Sequence, residues 1–241
     1  MSDSRRGYVP TDEKEFSQES QIVLRKAQQN LLYLLEQGYK IQGASRFVGN
    51  HYMLSERQRL AIVRATAVRD VLELREQKRL DRSQIGRTLV IDGLNVIITL
   101  EVALSASTLI RCMDGTIRDL AGLRGTYRLI DKTEEAIRLI GRELEGLGPE
   151  EVIIYLDAPV SNTGRLKGKL FELLKDYPFL LKVELVNNAD VILKKMSNVI
   201  TQDSVILDEC LSWINLTAGI IHRYIPDALF VELDQKVNGP D

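Results

Sequence analysis

Thr88-Leu89-Val90-Ile91-Asp92-Gly93-Leu94-Asn95-Val96 is an apolar run that ends in a carboxylate, a glycine and an asparagine. Leu89, Val90 and Ile91 are too short a run, and too β-branched, for a helix, so a buried strand is expected. Asp92 then falls at the strand's C-terminal end, where open parallel sheets place their ligands. Gly93 lets the backbone turn there, or lets another group come close. Asn95 is placed to hydrogen-bond the turn or to orient the carboxylate. An apolar strand followed by an aspartate recurs three times downstream, ending at Asp157, Asp190 and Asp203.

Around this stretch, strands and helices alternate. Val96 to Leu104 reads either as an extension of the strand or as the start of a helix. Residues 105–130 show no clear period and are expected as an irregular loop. Asp131 with Glu134 starts a helix to about Glu145, stopped by Gly146 and Gly148-Pro149. Strands are expected at 152–156, 181–186 and 199–201, with helices at 163–176, 189–196 and 204–217 between and after them. A last strand is expected at 220–225, with His222 in it as a core or edge residue, and Trp213 is expected in the core. This βαβα order predicts an α/β fold with a mainly parallel sheet covered by helices on both faces.

Upstream, the pattern is helical. Residues 1–16 are polar and expected to fray. Leu24, Ala27, Leu31, Leu34 and Leu35 mark one face of a helix over 20–37, with Gly38 as its stop. Ser55 and Gln58 form a capping box for a second long helix, whose stripe runs from Leu60 to Leu74. At 100° per residue Arg57, Arg64, Arg75 and Arg79 line up beside that stripe, a column that could rim a homodimer interface. The expected organisation is a helical module over 1–84, a polar linker at 81–86, an α/β module over 87–229 and a tail over 230–241.

Composition bounds the classes. The 241 residues are 44% hydrophobic and 27% charged, as in ordinary globular proteins. Residues 1–86 carry 15 Lys and Arg against 11 Asp and Glu, whereas 87–241 carry 17 against 23, so a basic front is joined to an acidic back. Two cysteines, Cys112 and Cys210, form no CxxC pattern, which argues against a structural zinc site. No stretch approaches the ~18 apolar residues of a membrane span, so a cytoplasmic protein with reduced thiols is expected.

In a parallel sheet all strands share one C-terminal edge, so Asp92, Asp157, Asp190 and Asp203 are expected to gather there. Four carboxylates repel unless a cation sits among them. Hard oxygen donors suit Mg²⁺ or Mn²⁺, and such a site can generate a hydroxide and stabilise in-line displacement at phosphorus. Aspartate after a strand also caps the next helix, and Asp190 and Asp203 sit at helix starts, so capping is the competing role. Asp114, Asp119 and Asp208 are further acidic positions. The segment Ser161 to Lys169, with Arg165, Lys167 and Lys169, could hold a phosphate chain at a helix N-terminus or be a solvated basic turn. In the helical module Lys40, Arg46, Arg57, Arg59, Arg64 and Arg69 interleave with Tyr39, Phe47, His51 and Tyr52, a mixture suited to RNA, or to aromatics packed between helices under solvated arginines.

Val90-Ile91-Asp92-Gly93-Leu94-Asn95 resembles the first motif of the NYN branch of PIN-like ribonucleases. Asn188-Ala189-Asp190-Val191-Ile192 resembles that branch's central helix start, and Val199-Ile200-Thr201-Gln202-Asp203 its late strand ending in Thr-x-Asp. The resemblance covers roughly 87–226. It implies a Rossmann-like, PIN-like sheet and a Mg²⁺- or Mn²⁺-dependent ribonuclease, expected here as an endoribonuclease, with Asp92, Asp190 and Asp203 as metal ligands, Asn95 as their support and Asp157 in the variable acidic position. Val205 stands where many members carry a second acid, which motivates the alternative of a catalytically weak PIN-like module serving RNA binding or assembly. The whole chain also resembles an uncharacterised prokaryotic family, domain of unknown function 434 joined to a PIN-like module. A haloacid-dehalogenase-type phosphatase fits less well, because Asp92-Gly93-Leu94 lacks the second Asp of Asp-x-Asp.

Overall fold

The structure, a computed structural model, describes residues 4–122 and 125–233. The chain begins with helices α1 (Asp12–Glu15), α2 (Gln18–Glu36), α3 (Ile41–His51), α4 (Glu56–Ala65) and α5 (Arg69–Lys78), then a 3₁₀ turn at Arg82–Gln84. There follow β1 (Thr88–Asp92), α6 (Gly93–Leu104), β2 (Leu109–Arg111), β3 (Ile117–Asp119), α7 (Asp131–Leu147), β4 (Glu151–Asp157), α8 (Thr163–Leu174), β5 (Leu180–Val186) and α9 (Ala189–Leu193). The remainder is β6 (Val199–Ile200), α10 (Ser204–Glu209), β7 (Trp213–Ile214), α11 (Leu216–Tyr224) and β8 (Phe230–Glu232).

Strand β1 is the centre of a five-stranded sheet of order β5-β4-β1-β6-β7, and every pairing in it is parallel. Leu89 and Ile91 pack into the large core with α6, α7 and α11, while Val90 points to the opposite side, against Leu193, Ile206 and Trp213. That alternation is the two-residue period of a strand buried on both faces. From β1 the chain builds outward to β4 and β5, then crosses back to β6 and β7 on the other side. The order therefore reverses between β1 and β6, which makes their C-terminal ends the switch point of the sheet.

Helix α6 begins at Gly93, settling Val96 to Leu104 as helix, and the glycine has a steric reason. A Cβ there would lie 2.6 Å from Ile154 Cγ2, 2.7 Å from Leu156 Cδ2 and 3.0 Å from the Tyr155 carbonyl, so the helix start is pressed onto β4. Gly148 closes α7 in the left-handed conformation, with φ of 70°, as expected of a C-terminal cap.

Several expectations are corrected. Residues 105–130 are not wholly irregular: β2 and β3 pair antiparallel, and β8 joins β2, giving a second, three-stranded sheet. Residues 230–232 are thus an edge strand rather than tail, and residues 234–241 lie outside the described residues. One face of this small sheet carries Ile110, Leu120 and Val231 into a core shared with α2, α3 and α4, while Leu109 and Ile117 face the main core. Residues 39–53 contain a full helix, α3. The expected long helix from Glu56 is two: α4 ends at Ala65, and Thr66 after it is extended with φ −104° and ψ 132°. Its last carbonyls are taken from outside, Arg64 O by the Arg118 guanidinium and Ala65 O by the Met113 amide. The arginine column is therefore absent. The helix expected over 204–217 stops at Glu209, Trp213 lies buried in β7, and the strand expected over 220–225 is helix α11, which carries His222.

From Arg5 to Phe16 the chain is held, not frayed, and residues 1–3 lie outside the described residues. Arg6 pairs at 2.8 Å with Glu101, a fully buried carboxylate that also accepts from Tyr127 and Thr133. No helix among the described residues is long and apolar enough to cross a membrane.

Candidate active site at the sheet edge

The C-terminal ends of β1 and β6 meet through side chains. Asp92, only 6% exposed, accepts a 2.8 Å hydrogen bond on Oδ2 from the hydroxyl of Thr201, which follows β6. The same hydroxyl accepts from the Asp203 amide at 3.0 Å. Asn95, on the first turn of α6, accepts the Gln202 amide on Oδ1 at 3.0 Å. Asn95 therefore ties α6 to the loop after β6, and it is Thr201 that orients the Asp92 carboxylate. Thr201 carried no role in the expectations above; its only sequence signal is its place in the Thr-x-Asp pattern.

The four aspartates differ in what they do. Asp203 caps α10, its Oδ1 accepting from Val205 N at 2.7 Å and Ile206 N at 3.4 Å. Asp157 accepts the Ala189 amide at 2.9 Å and fastens the start of α9 to the end of β4. The capping role thus holds for Asp203, and a related one for Asp157. Asp190 lies in the first turn of α9 without the capping task, which Asn188 performs on Val191 N at 3.1 Å. Asp92 stands at the N-cap of α6 and makes no capping bond.

Charge nonetheless couples them. Burial pushes the Asp92 carboxyl up to about 7; the Thr201 hydrogen bond opposes this, and the charges of Asp203, Asp190 and Asp157 add to it. Asp190 is raised as well, by burial first and then by Asp203 and Asp157. Among the described residues no three Asp, Glu, His or Cys side chains stand close enough to hold a metal ion by themselves. Mg²⁺ does not require such a cage, since it is commonly held by one or two carboxylates with waters and substrate phosphate completing the shell. Asp92 and Asp190, neither of which caps a helix, fit that description.

The other acidic positions are engaged elsewhere. Asp114, with its side chain 2% exposed, receives Arg75 at 2.6 Å and Arg118 at 2.5 Å. Burial raises its carboxyl, but Arg118, Thr116 and Arg75 together outweigh burial and hold it below the ordinary value. Asp208 takes a second bond from Arg75 at 2.7 Å, and Asp119 accepts from Thr99 and the Ala121 amide, both at 2.8 Å.

The basic positions divide similarly. The Arg57 guanidinium is filled by Asp12 and the carbonyls of Leu120 and Gly7, so it is a tie between α4 and the small sheet. Arg64 donates to Asp119 O and stands, one-third exposed, at the mouth of a cleft beside Asp203. Lys169 pairs with Glu134 at 2.9 Å and Glu172 at 3.0 Å, and Lys167 lies over the Phe171 ring at 5.9 Å. Arg165, near the start of α8, and Lys40, before α3, are exposed. Of the four rings, Tyr39, Phe47 and His51 are exposed, whereas Tyr52 packs against the core of the helical module and its hydroxyl accepts from Asn30 at 2.7 Å. Arg118, which bridges Asp114, Arg64 O and Gln202 O, sits in the stretch expected to be irregular and gave no signal in the sequence.

Comparison with known proteins gives two family matches along the chain. Residues 23–78 match the family described as Protein of unknown function (DUF434), and residues 82–219 match Domain of unknown function (DUF5616). The "Uncharacterized protein MJ0935" of Methanocaldococcus jannaschii is 36% identical over 185 residues, covering 76% of this chain and 88% of the relative. No solved structure matches the chain significantly. With more than half its length matched, including β1, the switch point and all four aspartates, the chain belongs to the family Domain of unknown function (DUF5616).

Proposed function

We propose that the protein is a metal-dependent endoribonuclease of PIN-like type. One observation carries the reading: Asp92, a buried carboxylate with no capping bond, ends the central strand at the switch point within the field of three further carboxylates. Mg²⁺ or Mn²⁺ would be held by Asp92 and Asp190, with Asp203 and Asp157 adding negative potential. The metal would supply a nucleophile from bound water and offset charge on the phosphate. Thr201 holds Asp92 in place, and Arg165 lies near the α8 N-terminus, where a phosphate chain can be received. Lys40, with Tyr39 and Phe47 exposed beside it in the chain, offers RNA a charge and stacking surfaces.

The second reading, a catalytically weak module for RNA binding or assembly, is favoured by Val205, which is exposed and apolar where a second acid would stand, and by the absence of a three-carboxylate cluster among the described residues. Cleavage of a labelled single-stranded RNA in Mn²⁺ and in EDTA, by the wild type and by Asp92→Asn, separates the two. The nuclease reading expects cleavage in Mn²⁺ alone and a loss of at least ~100-fold in the variant. Equal, metal-independent rates with RNA binding retained would establish the second.

A further inference from the structure

The two sheets end on strands β7, β3, β8 and β5, and the first three edges are short and engaged. The chain at Arg79 and Leu80 lies along β7, the Leu80 amide donating to the Trp213 carbonyl at 2.8 Å. Arg64 donates to the Asp119 carbonyl at the end of β3. On β8 the Glu232 N–H donates to Gln21 and its C=O accepts from Arg25. Strand β5 differs. It runs for seven residues in unbroken register with β4. The Leu180 N–H donates to Glu150 O and the Val186 C=O accepts from Ala158, both on the β4 side. Backbone groups alternate along a strand, so Leu181, Val183 and Leu185 turn their N–H and C=O away from β4. Those outward groups have no hydrogen-bond partner among the described residues. Native edges of this length are ordinarily interrupted by a proline or a bulge, or covered, and β5 has neither interruption.

The residues along this edge are complementary to themselves. Antiparallel pairing about a twofold axis at Val183 sets Val183 against Val183 and Leu181 against Leu185 as the hydrogen-bonded pairs. The backbone groups that this register uses are the ones that point outward. Between those pairs Lys182 falls against Glu184, at positions without backbone bonds, where side chains approach most closely. Pairing Val183 with Leu181 instead would set Lys182 against Lys182, and pairing it with Leu185 would set Glu184 against Glu184. Charge therefore selects the one alignment. In it Leu180, 59% exposed, meets Val186, and Leu185, 40% exposed, meets Leu181, so apolar side chains cover one another. Helix α8, which packs with Val183 in the main core and carries Phe171 exposed, would lie beside its own copy. Val183 is 2% exposed in the single chain, so its two central bonds form as the exposed Lys182 and Glu184 side chains turn to their opposite numbers.

We propose that β5 is a homodimer interface, through which two copies of this chain join edge to edge into one continuous sheet. The proposal goes beyond the ribonuclease reading and needs neither metal nor RNA. Sedimentation equilibrium of the full chain across a concentration series tests it, with a melting temperature taken on every sample to show that it is folded. The wild type is expected to dimerise. Glu184→Lys sets lysine against lysine at both crossings of the twofold, so the dissociation constant should rise about tenfold or more. Lys182→Glu sets glutamate against glutamate with the same effect, and also breaks the 2.6 Å pair of Lys182 with Glu151. Mixing the two single variants restores opposite charges at both crossings, so they should associate with each other at least as tightly as the wild type does with itself. Leu185→Pro removes an outward N–H that β4 does not use, so it should melt near the wild type and remain monomeric. A wild type that stays monomeric would leave the edge to a strand of another protein and overturn the proposal. A dimer indifferent to Glu184→Lys and Leu185→Pro would overturn it as well, and so would single variants that fail to associate when mixed.

Discussion

At the scale of the residue, Asp92 is the position on which the chemistry turns. The folded protein keeps its proton up to about pH 7, whereas the ordinary value is 3.8. Between those values the folded state binds more protons than the unfolded chain, so stability in EDTA falls as pH rises from about 4 to 7 and the loss is complete above that. Asp92→Asn removes this dependence. The variant should match the wild type near pH 4 and exceed it by about 2–4 kcal/mol at pH 8 in urea melts. A difference independent of pH would mean that the carboxyl is ordinary. With millimolar Mn²⁺ at pH 8 the order should reverse, because only the wild type gains from a bound ion, and a wild-type melting temperature indifferent to Mn²⁺ would sink the metal site. Thr201 acts on the same carboxylate. Thr201→Val removes the bond that favours the charged form, so the pH window of instability should move upward.

At the scale of the element, helix α6 and its contact with β4 set the position of Asp92. Gly93→Ala forces a methyl against Ile154, Leu156 and a backbone carbonyl. Overpacking of this kind costs typically 1–3 kcal/mol, and here it would also shift the strand end, so metal affinity should fall along with the melting temperature. A surface effect only, with no loss of stability, would contradict the packing. Helix α5 is fixed by charge rather than by an apolar stripe. Arg75, 4% exposed, bonds Asp114 and Asp208, and its carbonyl accepts the Trp213 indole at 2.7 Å. Arg75→Ala leaves Asp114 with Arg118 as its one ion-pair partner among the described residues, and breaking a buried pair costs about 3–5 kcal/mol. Denaturation midpoints of the variant decide this; a change below ~1 kcal/mol would show that Arg118 alone suffices.

At the scale of the whole molecule, the helical module and the α/β module share a core through the small sheet, so the chain should unfold in one transition. Its basic residues then sort into ties and surface charges. Arg57→Ala should lower stability by ~3 kcal/mol, because Asp12 is left buried with the Thr108 hydroxyl but without its cation, and should leave the salt dependence of RNA binding unchanged. Lys40→Ala should leave the melting temperature alone and reduce the salt slope of RNA binding by nearly one unit, as for a single phosphate contact. Filter binding across a salt series measures both, and an unchanged slope in Lys40→Ala would make the module structural.

What the amino-acid sequence determined by itself was local and periodic: β1 and β4, the capping box at Ser55 and Gln58, the stop at Gly148, the helices on both faces of a parallel sheet, and four aspartates following strands. Each follows from the period of apolar residues or from one residue's backbone preference. Tertiary structure alone decided the rest. The break between α4 and α5 comes from Arg118 and the Met113 amide, which take the last carbonyls of α4 across the fold. Strand β8 exists because β2, over 100 residues earlier in the chain, completes its hydrogen bonds, and β3 pairs with β2 on the other side. The aspartates look alike in sequence, yet the fold gives Asp203 and Asp157 backbone amides to hold and leaves Asp92 a buried charge with a threonine beside it. Which of several like residues is freed for chemistry depends on which neighbours have satisfied it, and those neighbours are brought together only by the assembled sheet.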